Sequence, residues 1–191
     1  MVSNSIITNP IGIKNTDRMS GLQFEIYLEW LFRRLAYRVE MTPKFDFGAD
    51  LIIERNRIRT AVQAKQRIDE MVGIDAVRAV FASMPFYECK RSMVVTNGLF
   101  SWQARKLAKA TNVELWDRLQ LAGKMASVRR LLRNHPDAPG IAHPATCFQC
   151  GELVPERVRQ YCMTNARLFR GRILCRKHQR LPDLGRHRAA G

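Results

Sequence analysis

Apolar positions along the chain recur at helical spacing in some stretches and run in short blocks in others. Leu22, Ile26, Leu31, Phe32 and Leu35 follow the 3.6-residue period, and Ser20 with Gln23 has the spacing of a capping box, so a helix is expected to open near residue 20. Tyr37 to Met41 reads as a short strand, and the segment from Thr42 to Gly48 is rich in turn formers. Asp50 to Glu54 and Ile58 to Gln66 read as two strands around a polar turn at Arg55-Asn56-Arg57. Gly73 to Met84 is expected to be helical, with Ile74, Val77, Val80 and Phe81 on one face. Ser92 to Thr96 reads as a buried strand, and Asn97-Gly98 turns the chain into a helix over 101–110. Val113 to Trp116 is a last strand, and 117–133 a helix carrying Leu119, Met125, Val128, Leu131 and Leu132. The order α-β-β-β-α-β-α-β predicts an α/β fold, a central mixed sheet flanked by helices.

The pattern breaks at residues 135–145, where three prolines and a glycine disfavour helix and strand alike. The expected organisation is a main domain over 17–134, a linker at 135–145, a small module at 146–182 and a basic tail at 183–191. Within the module, Pro155 to Thr164 should be helical, with Val158, Tyr161 and Cys162 near one face and Phe169 and Ile173 completing a small core.

Charge sharpens the picture. The 191 residues hold 32 Lys and Arg against 17 Asp and Glu, a net charge of +15. Residues 121–191 alone carry 14 basic and 4 acidic residues. A field of that sign attracts polyanions, which makes nucleic acid an expected partner; a solubilising surface is the plainer reading. No apolar run approaches the roughly 18 residues a membrane helix needs. The first residues lack the basic segment and cleavage site of a secretory signal, so no membrane partner and a cytoplasmic location are expected.

The cysteines point to a metal. Their number, five, is odd; Cys89 stands apart, and Cys147, Cys150, Cys162 and Cys175 crowd the C-terminal part. Cys147-Phe-Gln-Cys150 and Cys175-Arg-Lys-His178 form two close pairs, the pattern C-x2-C-x24-C-x2-H. Four such ligands in two pairs suit a closed tetrahedral Zn2+ site, structural rather than catalytic because no coordination position stays open. Cys162 is the spare, expected to be a buried thiol, and His143 lacks the paired spacing. The module resembles the zinc-ribbon-like appendages of DNA-processing enzymes. Its arginines, among them Arg157, Arg159, Arg167, Arg172 and Arg176, suit phosphates; a protein-docking role is the alternative.

A second constellation sits in the strand pair. Gln63 and Lys65 are two apart on a strand and share a face. With an even-length turn after Glu54, residues whose numbers sum to 113 pair across the hairpin, which sets Asp50 opposite Gln63. A polar trio between Leu51, Ile52, Ile53 and Val62 needs bonding or ligation. A carboxylate with an amide carbonyl can hold Mg2+, and a nearby lysine can orient water and offset phosphate charge. A structural Asp at a strand start beside a snorkelling Lys remains the other reading of the spacing.

Gly21-Leu-Gln-Phe-Glu25, Phe45-Asp-Phe-Gly-Ala-Asp-Leu-Ile52, Val62-Gln-Ala-Lys-Gln66, Val72-Gly-Ile-Asp-Ala-Val77 and Val94-Val-Thr-Asn-Gly-Leu-Phe-Ser-Trp-Gln-Ala104 occur in that order. This succession resembles the Mrr-like restriction endonuclease domain of the PD-(D/E)xK nuclease superfamily, over about residues 19–120. The resemblance implies a restriction-endonuclease-like fold and Mg2+- or Mn2+-dependent hydrolysis of DNA, in restriction of foreign or modified DNA. It makes Asp50 the metal-binding acid, Gln63 the residue at the position that is Glu in the wider superfamily, and Lys65 the motif lysine. It assigns Glu25 to assisting metal binding and Asp46 to a second acid before the catalytic strand. Two departures are visible: Gln63 is neutral, so the metal site carries less charge, and Phe47 stands where a small residue is commoner. A repair or junction-resolving nuclease, or a catalytically silent nucleic-acid-binding protein, would carry the same motifs. Cutting both strands would need two active sites and hence a homodimer.

Overall fold

The structure of the protein, a computed structural model, describes residues 12–43, 47–134, 145–169 and 171–179. The chain divides into two units, Met1–His143 and Pro144–Gly191. Asp46, His143, nearly all of the expected linker and the basic tail lie outside the described residues.

In the first unit the elements are α1 (Ile13–Thr16), α2 (Gly21–Arg34), β1 (Arg38–Met41), β2 (Leu51–Arg55), β3 (Ile58–Lys65), α3 (Ile74–Ser83), β4 (Arg91–Thr96), α4 (Trp102–Thr111), β5 (Glu114–Trp116) and α5 (Arg118–Asn134). The strands lie in sequence order in one five-stranded sheet. β1, β2 and β3 pair antiparallel, and β3, β4 and β5 pair parallel. The mixed sheet flanked by helices is the expected fold. The short α1 was not legible in the sequence, since one turn of helix carries no periodicity.

Local chemistry explains the boundaries. Ser20 caps α2: its hydroxyl accepts from the Gln23 backbone N–H at 3.3 Å, and the Gln23 side chain accepts from the Ser20 N–H at 2.9 Å. The Ser101 hydroxyl caps α4 by accepting from the Ala104 N–H at 3.1 Å, and Asn112 ends that helix in a left-handed conformation. The β2–β3 hairpin turns on two residues, Asn56 and Arg57, both with positive φ (54° and 62°). That is the two-residue turn whose twist suits an antiparallel pair. Its even length sets the register Leu51↔Val62, Ile52↔Ala61 and Ile53↔Thr60.

Strand alternation splits the core into two layers. Ile52, Ala61 and Val94 pack with Val77 and Val80 of α3 and Ala104 and Ala108 of α4. The intervening Leu51, Ile53, Val62, Met93 and Val95 are also buried and belong to the other face, against which α2 and α5 pack. That layer buries Phe24, Tyr27, Leu28, Leu31 and Phe32 of α2 with Leu121 and Met125 of α5. Phe32 stacks on Trp116 at 5.2 Å between ring centroids. Several apolar residues assigned to the core by periodicity are instead exposed: Leu22, Phe81, Leu119 and Leu131. Each lies at or near an end of its helix, or on a helix face left exposed among the described residues.

The second unit is held around α6 (Glu156–Thr164). Val154 and Val158 pack with Cys147 and Cys175, with Ile173 and Leu174 alongside, and Phe169 is buried. Tyr161, expected inside, is half-exposed at 51% and lies against Phe169 with centroids 5.8 Å apart.

Candidate active site and candidate metal centre

The loop that enters β2 is pinned before Asp50 is reached. Gly48 adopts φ +97°, and a Cβ there would stand 2.5 Å from the Ala79 carbonyl oxygen of α3, so only glycine lets the loop lie this close. Thr42 closes the loop: its hydroxyl donates to the Ala49 carbonyl at 2.6 Å and its N–H to the Asp50 carbonyl at 3.0 Å. The Asp50 N–H then donates to the Val62 carbonyl at 2.8 Å, which extends the hairpin ladder by one residue. The Asp50 side chain meets β3 as the pairing rule expects. Its Oδ2 accepts from the Gln63 side-chain amide and from the Ala64 backbone N–H, the latter at 2.6 Å. Gln63 is buried and Asp50 half-buried.

Lys65 follows Gln63 on the same face, is the last residue of β3, and stands beside Thr96 of β4. Glu54 pairs with Arg59 toward the hairpin turn, four residues from Asp50. Glu25 is half-buried in the second turn of α2, a helix that packs on β1, β2 and β3. The structure thus joins Asp50 directly to Gln63 and sets Lys65 two residues further along the same strand. Glu25 comes from a separate element.

A polar network behind this strand end was not legible in the sequence, although Gln66 and Asn97 lie within motifs that carry the resemblance. Gln66, next to Lys65, donates through Nε2 to the Asp17 carbonyl at 3.1 Å. Asn97 is fully buried: its Oδ1 accepts from the Arg67 N–H at 2.8 Å and its Nδ2 donates to Asp17 Oδ1 at 3.1 Å. Arg118 makes a two-pronged contact with Asp17, 2.7 and 2.9 Å, and donates to the Asn97 carbonyl at 2.8 Å. The Arg118 guanidinium, more than the opposing effect of burial, holds the Asp17 carboxyl below its ordinary range. These bonds tie α1, the loops after β3 and β4, and the start of α5 into one assembly at the C-terminal ends of the parallel strands. No spacing rule announces them, because the partners lie 21 to 101 residues apart.

The second unit gathers Cys147, Cys150, Cys175 and His178, with one ligand atom from each, all within 4.8 Å of one another. Cys150 Sγ and Cys175 Sγ are 3.9 Å apart, and His178 Nδ1 lies 3.5 Å from Cys147 Sγ and 3.3 Å from Cys175 Sγ. A tetrahedral zinc with Zn–S near 2.3 Å and Zn–N near 2.0 Å would set such atoms about 3.5–3.8 Å apart, so the donor set suits that ion. The thiols are also electrostatically unequal. Burial raises the Cys147 thiol, but N–H groups of Cys175, Cys150 and Gln149 with His178 outweigh it and lower it to about 6. Cys150 receives a lowering backbone hydrogen bond from Glu152, but burial and the neighbouring Cys147 and Cys175 push it up to about 11. Thiolates this close oppose each other's ionisation, a repulsion that a dication would relieve. Cys162 stays outside the cluster: buried, its Sγ accepts from the Leu174 N–H at 3.4 Å and the Gln179 amide at 3.3 Å. It therefore fastens the segment that carries Cys175 to α6.

Residues 16–125 match the Mrr_cat family model, described as restriction endonuclease. The chain belongs to the Mrr-type restriction endonuclease family. The match spans more than half of the chain and contains the Asp50–Gln63–Lys65 hairpin, Glu25 and the Asp17–Asn97–Arg118 network. Among solved structures, the DNA modification-dependent restriction endonuclease AspBHI aligns at 18% identity and TM-score 0.46, covering 64% of this chain and 37% of its own. MspJI restriction endonuclease in complex with a 27-mer oligonucleotide aligns at 21% and 0.43, covering 68% and 35%. A protein of unknown function, AF1548, aligns at 18% and 0.45, covering 50% and 58%. The chain thus spans less than two thirds of each of these proteins. No curated protein matches it significantly. The Mrr-type match ends at residue 125, so the Cys/His unit lies beyond it. Among the described residues no helix is long and apolar enough to cross a membrane.

Proposed function

We propose that this Mrr-type protein is a metal-dependent DNA endonuclease whose hairpin performs phosphodiester hydrolysis and whose C-terminal unit is a zinc-organised DNA-binding module. The observation that carries the reading is the Asp50–Gln63 hydrogen bond, which brings two residues 13 apart in sequence to one point, with Lys65 following on the same face. Oxygen donors from one carboxylate and one amide suit Mg2+ or Mn2+, which keep several waters and need only one or two carboxylates. Asp50 and the Gln63 carbonyl would hold the ion, with Glu25 assisting from α2. When bound, it polarises the phosphate and makes its water more acidic.

The chain's own residues do the rest. The Ala64 N–H fixes the Asp50 carboxylate, so the acid is oriented before substrate arrives. Lys65 supplies positive charge where negative charge builds on the phosphate oxygens, and its ammonium can orient the attacking water. The network of Asp17, Asn97, Gln66 and Arg118 holds the end of β3 still, and so positions Lys65 without touching substrate. In the second unit, Cys147, Cys150, Cys175 and His178 would bind one structural Zn2+, and the surrounding arginines would contact phosphates. Restriction of foreign or modified DNA is the role favoured by family membership.

Supercoiled plasmid incubated with the full-length protein and Mg2+ or Mn2+ tests the activity. Nicked or linear product that disappears with EDTA is expected; plasmid that is bound yet never cut under either metal would leave a binding protein with a nuclease fold.

A further inference from the structure

Among the described residues of the second unit, Phe148 is the most exposed aromatic side chain. Phe148 lies between the two cysteines of the first knuckle and is 65% exposed, while the core is filled by Val154, Val158 and Phe169. Its backbone is not loose. The Phe148 N–H donates to the Ile173 carbonyl at 2.8 Å, the Cys147 N–H to the Glu152 carbonyl at 2.8 Å, and the Gly151 N–H to the Cys147 carbonyl at 2.8 Å. The turn therefore presents the ring on a fixed mount. The Arg172 guanidinium lies over the ring, 4.2 Å from its centroid. Among the described residues this unit has two carboxylates, Glu152 and Glu156, and these pair with Lys177 and Arg159. Neither carboxylate is paired with Arg172, which therefore keeps its positive charge beside the ring.

From this arrangement we infer that Phe148 and Arg172 form a stacking platform for an unpaired base of a DNA strand. The inference rests on the DNA-binding role proposed above and extends it from phosphates to bases. A rigid exposed ring backed by a guanidinium offers two flat π surfaces, and a nucleobase is the flat partner both accept. Bases in a duplex hide their faces, so the occupant is a base in a single strand or one splayed from its stack. An apolar protein partner would fit less well, since burying the ring would strip water from Arg172 at the same time.

The experiment uses the full-length, zinc-loaded protein with no Mg2+ or Mn2+ added. Binding to a labelled single-stranded oligodeoxynucleotide is compared with binding to an abasic oligomer carrying the same number of phosphates. Wild type should prefer the oligomer with bases, and Phe148→Ala should weaken binding to it by about 5- to 150-fold. Phe148→Trp should retain affinity and show quenching of its added fluorescence on binding. The abasic oligomer should bind wild type and Phe148→Ala alike, and the salt slope should not change, because no phosphate contact is removed. Zinc content equal to wild type shows that Phe148→Ala is folded. Equal affinity of wild type and Phe148→Ala for the oligomer with bases would overturn the stacking platform. So would an equal loss on both oligomers. Failure of wild type to bind any DNA at low salt would instead overturn the proposed DNA-binding role, and the platform with it.

Discussion

Asp17 shows how much depends on a single carboxylate outside the candidate catalytic trio. It takes two hydrogen bonds from Arg118, at the start of α5, and one from Asn97, which follows Thr96, the neighbour of Lys65 across β3 and β4. Because the Arg118 contact depresses its folded pKa, the folded state binds this proton less readily than the unfolded chain does. The stabilisation is therefore fully present above the unfolded value, near 3.9, and is lost as pH falls through the lower folded value. Replacing Asp17 by Asn removes the charge and keeps the shape. The variant should unfold about 1–2 kcal/mol more easily than wild type at pH 7, the range for losing one partner of a part-buried charged hydrogen bond. That gap should close as pH falls through the lowered folded value, where the wild-type carboxyl is protonated too. Denaturant titrations at several pH values measure it; a gap that stays constant from neutral pH down to acid in which every carboxyl is protonated would show that the ion pair is not its source.

At the scale of elements, what was legible in the sequence is what short-range physics controls. The β2–β3 hairpin could be read because a two-residue turn fixes its register, and the register alone places Asp50 against Gln63. The α2 start could be read because Ser20 and Gln23 cap it reciprocally. Burial was less legible. Leu119 obeys helical spacing yet is 77% exposed, whereas Leu121, two residues on, is fully buried. Periodicity shows that a helix has an apolar side but not where its neighbours stop covering it. The strand-end network escaped because α1 and α5 meet only through the fold. The cysteine pairs, in contrast, were legible from spacing, and the structure brings all four ligand atoms together while leaving Cys162 aside. That separation carries a prediction. Metal analysis of the purified protein should find one zinc per chain, retained in Cys162→Ser and lost in Cys147→Ser, whose second unit should unfold. A Cys162→Ser protein that loses its metal while remaining folded would bring that thiol into the ligand set.

For the whole molecule, two units divide the labour that the proposed function requires. The Mrr-type unit contains the hairpin, its supporting network and most of the chain's carboxylates. The smaller unit follows a stretch rich in proline and carries the Cys/His cluster amid an excess of arginine. Chemistry and affinity are thus assigned to different residues, and they should separate by mutation. The most direct measurement compares wild type with Lys65→Ala for plasmid cleavage in Mg2+ or Mn2+, alongside DNA binding by the same two preparations. The account predicts that Lys65→Ala lowers cleavage by at least about a hundredfold, as loss of a group stabilising transition-state charge should. Binding should remain within a factor of about three of wild type, because affinity comes mainly from the arginine contacts to phosphates. Cleavage at the wild-type rate by a folded Lys65→Ala protein would contradict the account.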